Sequence, residues 1–303
     1  MNPSIWIVIL NFNRLQDTLA CLSTVRQAVF PNITTLVLNF PPDSSWSAAI
    51  QAAHPQACIF SLSANRGYAG NNNVGIREAL AGGADWVLIL NEDILMDRLC
   101  VNSLVEVAQG NPNAGLIGPK VYQADAPSEI QAAGGIVNQL FDVRWRGEGE
   151  TDRGQYDEIA EVDVVHGCAI MLRRELIEAI GAFDERFFMY REEVDLCLRA
   201  RRAGYKVLYA PQAQVWHRRP APPADRQALT TYYMTRNAYL LLSNHHASSN
   251  MRVRTTTRHL TWLLNWTLNP KWRHKHADRN ALFKALIDAL LSNYGYQSDR
   301  YGT

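Results

Sequence analysis

The run Ser4-Ile5-Trp6-Ile7-Val8-Ile9-Leu10 constrains this chain more than any other segment. It is apolar without alternation, so as a strand it has no face to turn to water. Such a strand belongs inside a sheet covered on both sides, the situation of parallel strands. The run stops at the polar cluster Asn11-Phe12-Asn13-Arg14, and the pattern recurs. Thr34-Thr35-Leu36-Val37-Leu38 stops at Asn39-Phe40-Pro41-Pro42-Asp43, a third short strand spans Ala57 to Leu62, and Trp86-Val87-Leu88-Ile89-Leu90 stops at Asn91-Glu92-Asp93. An amphipathic helix is expected from Leu15 to about Val29, with Pro31 just beyond it, and another runs from the 65–75 segment to Gly82-Gly83. Strands alternating with helices predict an α/β fold, a mainly parallel sheet flanked by helices. In such sheets the ligand crevice lies outside the carboxyl ends of the strands, where all three polar clusters fall.

Beyond residue 100 the pattern loosens. Gly115 to Tyr122 reads as a strand, and residues 123–160, rich in Gly and charge, as a loop or hairpin. Val162 to Leu172 is strand-like and contains His166-Gly167-Cys168. A helix from Arg174 to Ile180 ends at Gly181, another opens at Arg191-Glu192-Glu193-Val194-Asp195 and reaches Gly204, and strands at Lys206–Tyr209 and Gln214–His217 close the unit. Arg218-Arg219-Pro220-Ala221-Pro222-Pro223 has linker composition. The expected division is therefore a domain over 1–218 and a helical C-terminal extension over 219–303.

With 30 basic and 29 acidic residues the chain carries a formal charge of +1, which gives no pull toward nucleic acid, and none is expected as a partner. Cys21, Cys58, Cys100, Cys168 and Cys197 stand apart among apolar neighbours and are expected to be buried, reduced thiols. No basic leader with a cleavage site opens the chain, and no apolar run approaches ~18 residues, so a cytoplasmic protein is expected.

Four pieces can carry chemistry. Asn91-Glu92-Asp93 offers acids at a strand end, where a diphosphate with Mg²⁺ or Mn²⁺ would want carboxylate oxygens; such acids also serve as plain turn or cap residues. The 65–75 segment presents small residues and amides at a helix start, suited to a phosphate or a base edge, though a Gly/Asn-rich turn is often only a turn. It is not a G-x-x-x-x-G-K-[ST] loop. Arg191 to Asp195 sets three carboxylates in a first helical turn, whose dipole favours their ionised form; acids are common there for that reason alone. Asp195 and Arg199 are spaced for a structural i,i+4 ion pair, leaving Glu192 and Glu193 as candidate general bases. His217 ends another strand; a lone His is ordinarily a packing residue, but this position favours a site.

In this order the four pieces resemble glycosyltransferase family 2, inverting enzymes of the GT-A fold, and within it the rhamnosyltransferase-like branch. The family's T-Y-N-R stands here as Asn11-Phe12-Asn13-Arg14 and its N-x-G-[FY]-A-G-G-N-N-x-G-I as Asn65 through Ile76, including Gly67 and Asn73. Its L-N-D-D stands as Leu90-Asn91-Glu92-Asp93 and its G-x-x-G-P-K as Gly115 through Lys120. A long motif ending R-x-R-x-A-G-[YW] stands as Gly181 through Tyr205. The resemblance covers about residues 4–220.

It implies a nucleotide-sugar donor, linked to dTDP, UDP or GDP and carrying rhamnose or a similar sugar, and a glycan, glycolipid or other lipid-linked acceptor approaching by the 123–160 segment. Asp93 and His217 would hold the metal, and Asn11, Asn13, Asn39, Asn65, Gly67, Asn73, Asn91 and Glu92 would line the nucleotide-sugar site. Glu193 would be the base, in a single displacement that inverts the anomeric centre. Two positions depart from the pattern: V-D-N-G-S is replaced by Leu38-Asn39-Phe40-Pro41-Pro42, and the usual base Asp by Glu193. Those departures leave a second reading, a catalytically weak sugar-nucleotide-binding subunit of an assembly complex. A nucleotidyltransferase would need a basic triphosphate loop, and none is legible. In the extension, Arg252, Arg254, Arg258, Lys271, Arg273, Lys275 and Arg279 interleave with Trp262, Leu263, Leu264, Trp266, Leu268 and Trp272. That composition suits peripheral docking at the inner face of a membrane or packing against protein, including a homodimer partner.

Overall fold

The computed structural model describes residues 2–218 and 224–296, so the linker expected over 218–223 lies, beyond Arg218, outside the described residues. The chain opens β1 (Ile5–Phe12), α1 (Leu15–Val25), β2 (Ile33–Phe40), α2 (Ser44–Ala53), β3 (Cys58–Ser61), α3 (Gly67–Ala81) and β4 (Trp86–Asn91). It continues through β5 (Ile94–Met96), α4 (Cys100–Gly110), β6 (Ala114–Gln123), β7 (Ala126–Ala132), β8 (Gly135–Val137), β9 (Val143–Trp145) and β10 (Ala160–Glu161). Then follow β11 (Ala169–Arg173), α5 (Arg174–Ile180), α6 (Glu192–Arg202), β12 (Lys206–His217) and the terminal helices α7 (Ala224–Asn244), α8 (Ser249–Leu268) and α9 (His276–Leu290).

The main sheet has the order β10-β12-β6-β11-β4-β1-β2-β3, with β5 and β7 added beside β12 and β6. β3, β2, β1 and β4 are mutually parallel, β12 is parallel to β6, and β11 runs antiparallel between β4 and β6. The apolar run of β1 is buried on both faces, as its lack of alternation requires. Ile5, Ile7 and Ile9 pack with α1 and α4, while Val8 and Leu10 pack with Ile76 and Ala79 of α3. Each such side chain contributes ~1.5–3 kcal/mol on burial. Registers of Asn11 against Asn39 and of Leu10 against Asn91 bring the polar strand ends level at one edge of the sheet.

Three expectations are corrected. The strand expected over Val162–Leu172 begins only at Ala169; residues 162–168 instead cross the sheet end as a loop, tied by Gly135 N–H to Val164 O. The strands expected at 206–209 and 214–217 are one strand, β12, with a register shift between Ala210 and Gln214. Cys58 is exposed because β3 is the sheet's outer edge, whereas Cys21, Cys100, Cys168 and Cys197 are buried, and all five are free thiols.

The terminal helices are fastened to the sheet half by polar contacts. Asp195, fully buried, accepts from Arg199 Nε at 2.7 Å, as its spacing predicts, and from Asn244 Nδ2 of α7 at 2.9 Å, with His245 Nε2 at 3.0 Å. Arg236, also fully buried, stacks over Tyr233 and donates to the carbonyls of Arg186 and Phe187. Among the described residues no helix is long and apolar enough to cross a membrane.

Candidate functional site

Asp93 follows the end of β4 and His217 ends β12, two strands that never pair with each other. β5 brings them together: Ile94 is in register with His217. His217 Nε2 then lies 3.2 Å from Asp93 Oδ1, and Arg14 Nη1 donates to Asp93 Oδ2 at 2.9 Å. Burial alone would raise the Asp93 carboxyl, but the contacts of His217 and Arg14 outweigh it and hold it below its ordinary value. At Glu92, burial, then the charge of Asp93, outweighs its own backbone N–H and Arg14 and pushes the carboxyl up to about 8.

The far nitrogen of His217, Nδ1, sits 3.1 Å from Gln131 Oε1 on β7, and Gln131 Nε2 is 3.2 Å from His166 Nε2. With Nδ1 beside Gln131 Oε1, His217 turns its Nε2 toward Asp93 Oδ1. Asp93 Oδ1 is buried and receives no aligned hydrogen bond. An imidazole nitrogen and a carboxylate oxygen converging in this way, with the ring oriented from behind by an amide oxygen, would offer a cation two ligands. Among the described residues no group of three or more His, Cys, Asp or Glu could hold an ion. Two protein ligands suit Mg²⁺ or Mn²⁺, which complete their shell with water and substrate phosphate oxygens.

The nucleotide-side candidates fall into two sets. Asn11 and Asn39 are fully buried and hold each other, Asn11 Nδ2 donating to Asn39 Oδ1 at 2.7 Å. Asn11 Oδ1 accepts from Thr18 Oγ1, and Asn39 Nδ2 donates to Asp43 O and Ser47 Oγ. Asn73 Nδ2 and Oδ1 are both taken by the backbone of Phe183, at 2.8 and 3.0 Å. These three form the floor and a latch. Asn13 is exposed, at φ 58°, where β1 turns into α1, and Asn65, Asn91 and Glu92 are half-buried. Gly67 has φ +70°, and a Cβ there would collide with the backbone of Phe188, so only glycine lets α3 begin against the 181–191 segment.

That segment builds the other wall. Phe188, Tyr190 and Arg191 all have positive φ, at 64°, 67° and 73°, immediately before α6. Non-glycine residues there cost of order 1–3 kcal/mol each. α7 holds the strained stretch: Asn237 Nδ2 donates to the carbonyls of Phe187, Met189 and Tyr190 at 2.9, 2.8 and 2.8 Å. The bend delivers Glu192 and Glu193 to the first turn of α6. Glu192 is buried and its Oε2 has no hydrogen-bond partner. Burial, reinforced by the charge of Glu193, pushes its carboxyl well up. Burial also raises Glu193, opposed by backbone N–H groups of the helix start and by Arg191. Glu193 lies over Gly167, 3.6 Å from where a side chain would begin. Tyr68 of α3 joins the two walls: its hydroxyl donates to Gly167 O at 2.5 Å, and burial together with Glu192, Glu193 and Glu92 pushes the phenol up.

Four participants had no role assigned from sequence. Arg14 and Gly167 sat inside segments already noted; the signal for Arg14 was its place in the polar cluster after β1. Tyr68 was a motif residue without a function. Gln131 gave no signal, because its partner His217 lies 86 positions away.

The family model described as Glycosyl transferase family group 2 matches residues 86–277. An N-acetylglucosaminyl-diphospho-decaprenol L-rhamnosyltransferase of Mycobacterium tuberculosis is 29% identical over 252 residues, 77% of this chain and 81% of that protein. The dTDP-rhamnosyl transferase RfbF of Shigella flexneri is 24% identical over 268 residues, 84% of this chain and 85% of that protein. Among solved structures, the mannosyltransferase PcManGT of Pyrobaculum calidifontis, in complex with GDP-Man and Mn²⁺, aligns with a TM-score of 0.60 at 15% identity, over 97% of this chain and 88% of that one. The last is a likeness of fold.

Proposed function

Since the chain belongs to glycosyl transferase family group 2 and is a glycosyltransferase of the GT-A fold, we propose that it moves rhamnose or a similar sugar, with inversion, from a nucleotide-diphosphate donor to an acceptor hydroxyl. The observation that carries this reading is the convergence of Asp93 Oδ1 and His217 Nε2 at 3.2 Å in the crevice that Glu193 overlooks. The rhamnosyl relatives favour a dTDP-linked donor, with UDP- and GDP-linked sugars as the other candidates.

Asn13, Asn65, Asn91 and Glu92 present polar atoms to the nucleotide, on a floor shaped by Asn11, Asn39, Gly67 and Asn73. Asp93 and His217 would hold a divalent cation, Mg²⁺ or Mn²⁺, which would supply positive charge to the departing diphosphate. Glu193, ionised, takes the proton of the acceptor hydroxyl. The acceptor oxygen bonds to the anomeric carbon from the face opposite the diphosphate, and the bond from that carbon to the diphosphate oxygen breaks. Glu192, which gives up its proton less readily, stays neutral beside it. The catalytic side chains lie within the domain over 1–218, and α7 of the C-terminal extension over 219–303 braces them. The acceptor is a glycan or a lipid-linked glycan, and the protein works at the inner face of a membrane.

Turnover tests this. Purified protein is given dTDP-rhamnose, UDP-sugars or GDP-sugars with an acceptor and Mn²⁺, and nucleoside diphosphate release and product anomeric configuration are followed by NMR. Inverted product that disappears with EDTA is expected. Retained configuration would overturn the single displacement, and donor binding without turnover would leave the binding-subunit reading in its place.

A further inference from the structure

An open groove of about 440 Å³ lies outside the crevice, between the 138–142 loop and helix α8. Leu140 forms one wall, and Val253, Arg254, Thr257, Arg258 and Trp262 form the other. Its charge is cationic. Arg254 is exposed and has no ion pair among the described residues. Arg258 stacks over Trp262, pairs with Asp142 through Nη1 and Nη2, and leaves a buried Nε with no acceptor. From residue 252 to 279 the chain has seven Arg or Lys and one acid, Asp278.

The groove also has an apolar continuation. Positions 253, 257, 261, 264 and 268 fall on one face of a helix by their spacing. Along α8 that face passes from the arginine end to Leu264 and Leu268, which are 59% and 74% exposed. A surface with fixed positive charge at one end and exposed aliphatic side chains at the other matches an amphipathic anion.

The groove is mechanically joined to the base. Asp142, held by Arg258, also accepts from Arg191 Nη2 at 3.4 Å, and Arg191 Nη1 donates to Phe141 O at 2.9 Å. Arg191 directly precedes Glu192 and Glu193.

We propose that this groove binds the phosphate-bearing head of a lipid-linked acceptor, with Arg254 and Arg258 on the phosphate, Trp262 at the boundary and the lipid chain along Leu264 and Leu268. The proposal rests on the transferase reading above and adds the place where the acceptor's phosphate and lipid are held. The bound head would lie on the Arg258–Asp142–Arg191 side of α6, so the groove and the base wall share one support.

The full-length protein can be titrated by calorimetry, with EDTA present, using farnesyl diphosphate below its micellar concentration, inorganic pyrophosphate and farnesol. Farnesyl diphosphate should bind saturably, at least ~10-fold more tightly than either fragment, because the tail and the charge both contribute. Arg254→Gln, and separately Leu264→Ser with Leu268→Ser, should each weaken it by ~10-fold or more. These positions are exposed, so the thermal midpoint and donor affinity with Mn²⁺ should not move. Pyrophosphate binding as tightly as farnesyl diphosphate would make this a free-phosphate site and overturn the proposal. So would equal binding of farnesol, indifference to both variants, or equal competition by phosphatidylglycerol vesicles, which would mark a general membrane surface. A dimer in lipid-free solution that the leucine variant dissociates would assign the face to a second copy instead. Loss of donor binding in the unsubstituted protein would refute the underlying transferase reading, and that is read in its own titration.

Discussion

Glu192 and Glu193 are neighbours on α6 with different surroundings, and the difference supports the roles proposed for them. Glu192 is 5% exposed with an orphaned Oε2, so its charged form has only its own backbone N–H to set against desolvation and the charge of Glu193. Glu193 faces the crevice over Gly167 and is helped by the helix start and Arg191. Glu193 therefore loses its proton first. Glu193→Gln should lower kcat by ~10²–10⁴-fold while donor affinity is kept, and Glu192→Gln should retain most activity. The reverse result in steady-state kinetics would exchange the two assignments. A stability consequence follows with a definite sign. The folded carboxyl of Glu192 titrates above its ordinary 4.5, so the unfolded chain releases that proton first as pH rises. Its contribution to stability is thus whole below the ordinary glutamate range and is lost as pH climbs toward the raised folded value. Glu192→Gln, which mimics the neutral form, should match the parent thermal midpoint near pH 4 and exceed it at pH 8.

At the scale of elements, the decisive arrangement is a strained loop fixed by a helix from a distant part of the chain. Positive φ at Phe188, Tyr190 and Arg191 sets the angle at which α6 presents its acids, and Asn237 holds three carbonyls of that stretch. Without that side chain, Phe187 O keeps Arg236 as a donor, but the Met189 and Tyr190 carbonyls lose Asn237, at ~1–3 kcal/mol each when no water replaces it. Asn237→Ala should lower the thermal midpoint by several degrees and lower kcat more than it raises the donor KM. A variant with a lowered midpoint and unchanged kcat would show that the brace serves stability alone. Elements were legible where one residue class repeated. β1, β2 and β4 announced themselves as apolar runs closed by polar clusters, and the helix expected to follow the 65–75 segment begins within it, at Gly67. Residues 44–53 bury only Ile50 and so carry no readable apolar stripe; the available signal was Asp43, whose carboxylate caps α2 through Ser45 and Trp46 N–H. The 162–168 stretch misleads because Val162, Val164 and Val165 are buried while lying in a loop. Apolar content reports burial, and only pairing makes a strand.

For the whole molecule, the sequence placed the strand-end acids and His217 near one crevice because parallel sheets gather such residues at one edge. What it could not place were contacts set by sheet order: β12 reaches Asp93 only through β5, and Gln131 reaches His217 from β7. The resemblance supplied an assignment for each motif residue, yet Asn11, Asn39 and Asn73 spend their amide groups on one another, on the backbone and on the side chains of Thr18, Ser47 and Glu185. The same global arrangement makes Arg14 the partner of Asp93 Oδ2 and leaves Asp93 Oδ1 with His217. All of it converges on one claim, that the Asp93–His217 pair holds the cation that carries the donor diphosphate. Calorimetric titration of the preferred nucleotide-sugar into the parent protein and Asp93→Asn, each with Mn²⁺ and with EDTA, tests it most directly. The parent should bind the donor at least ~10-fold more tightly with Mn²⁺ than with EDTA, and the variant, folded to the same midpoint, should lose that difference. Equal donor affinity for Asp93→Asn and the parent in Mn²⁺ would contradict the account.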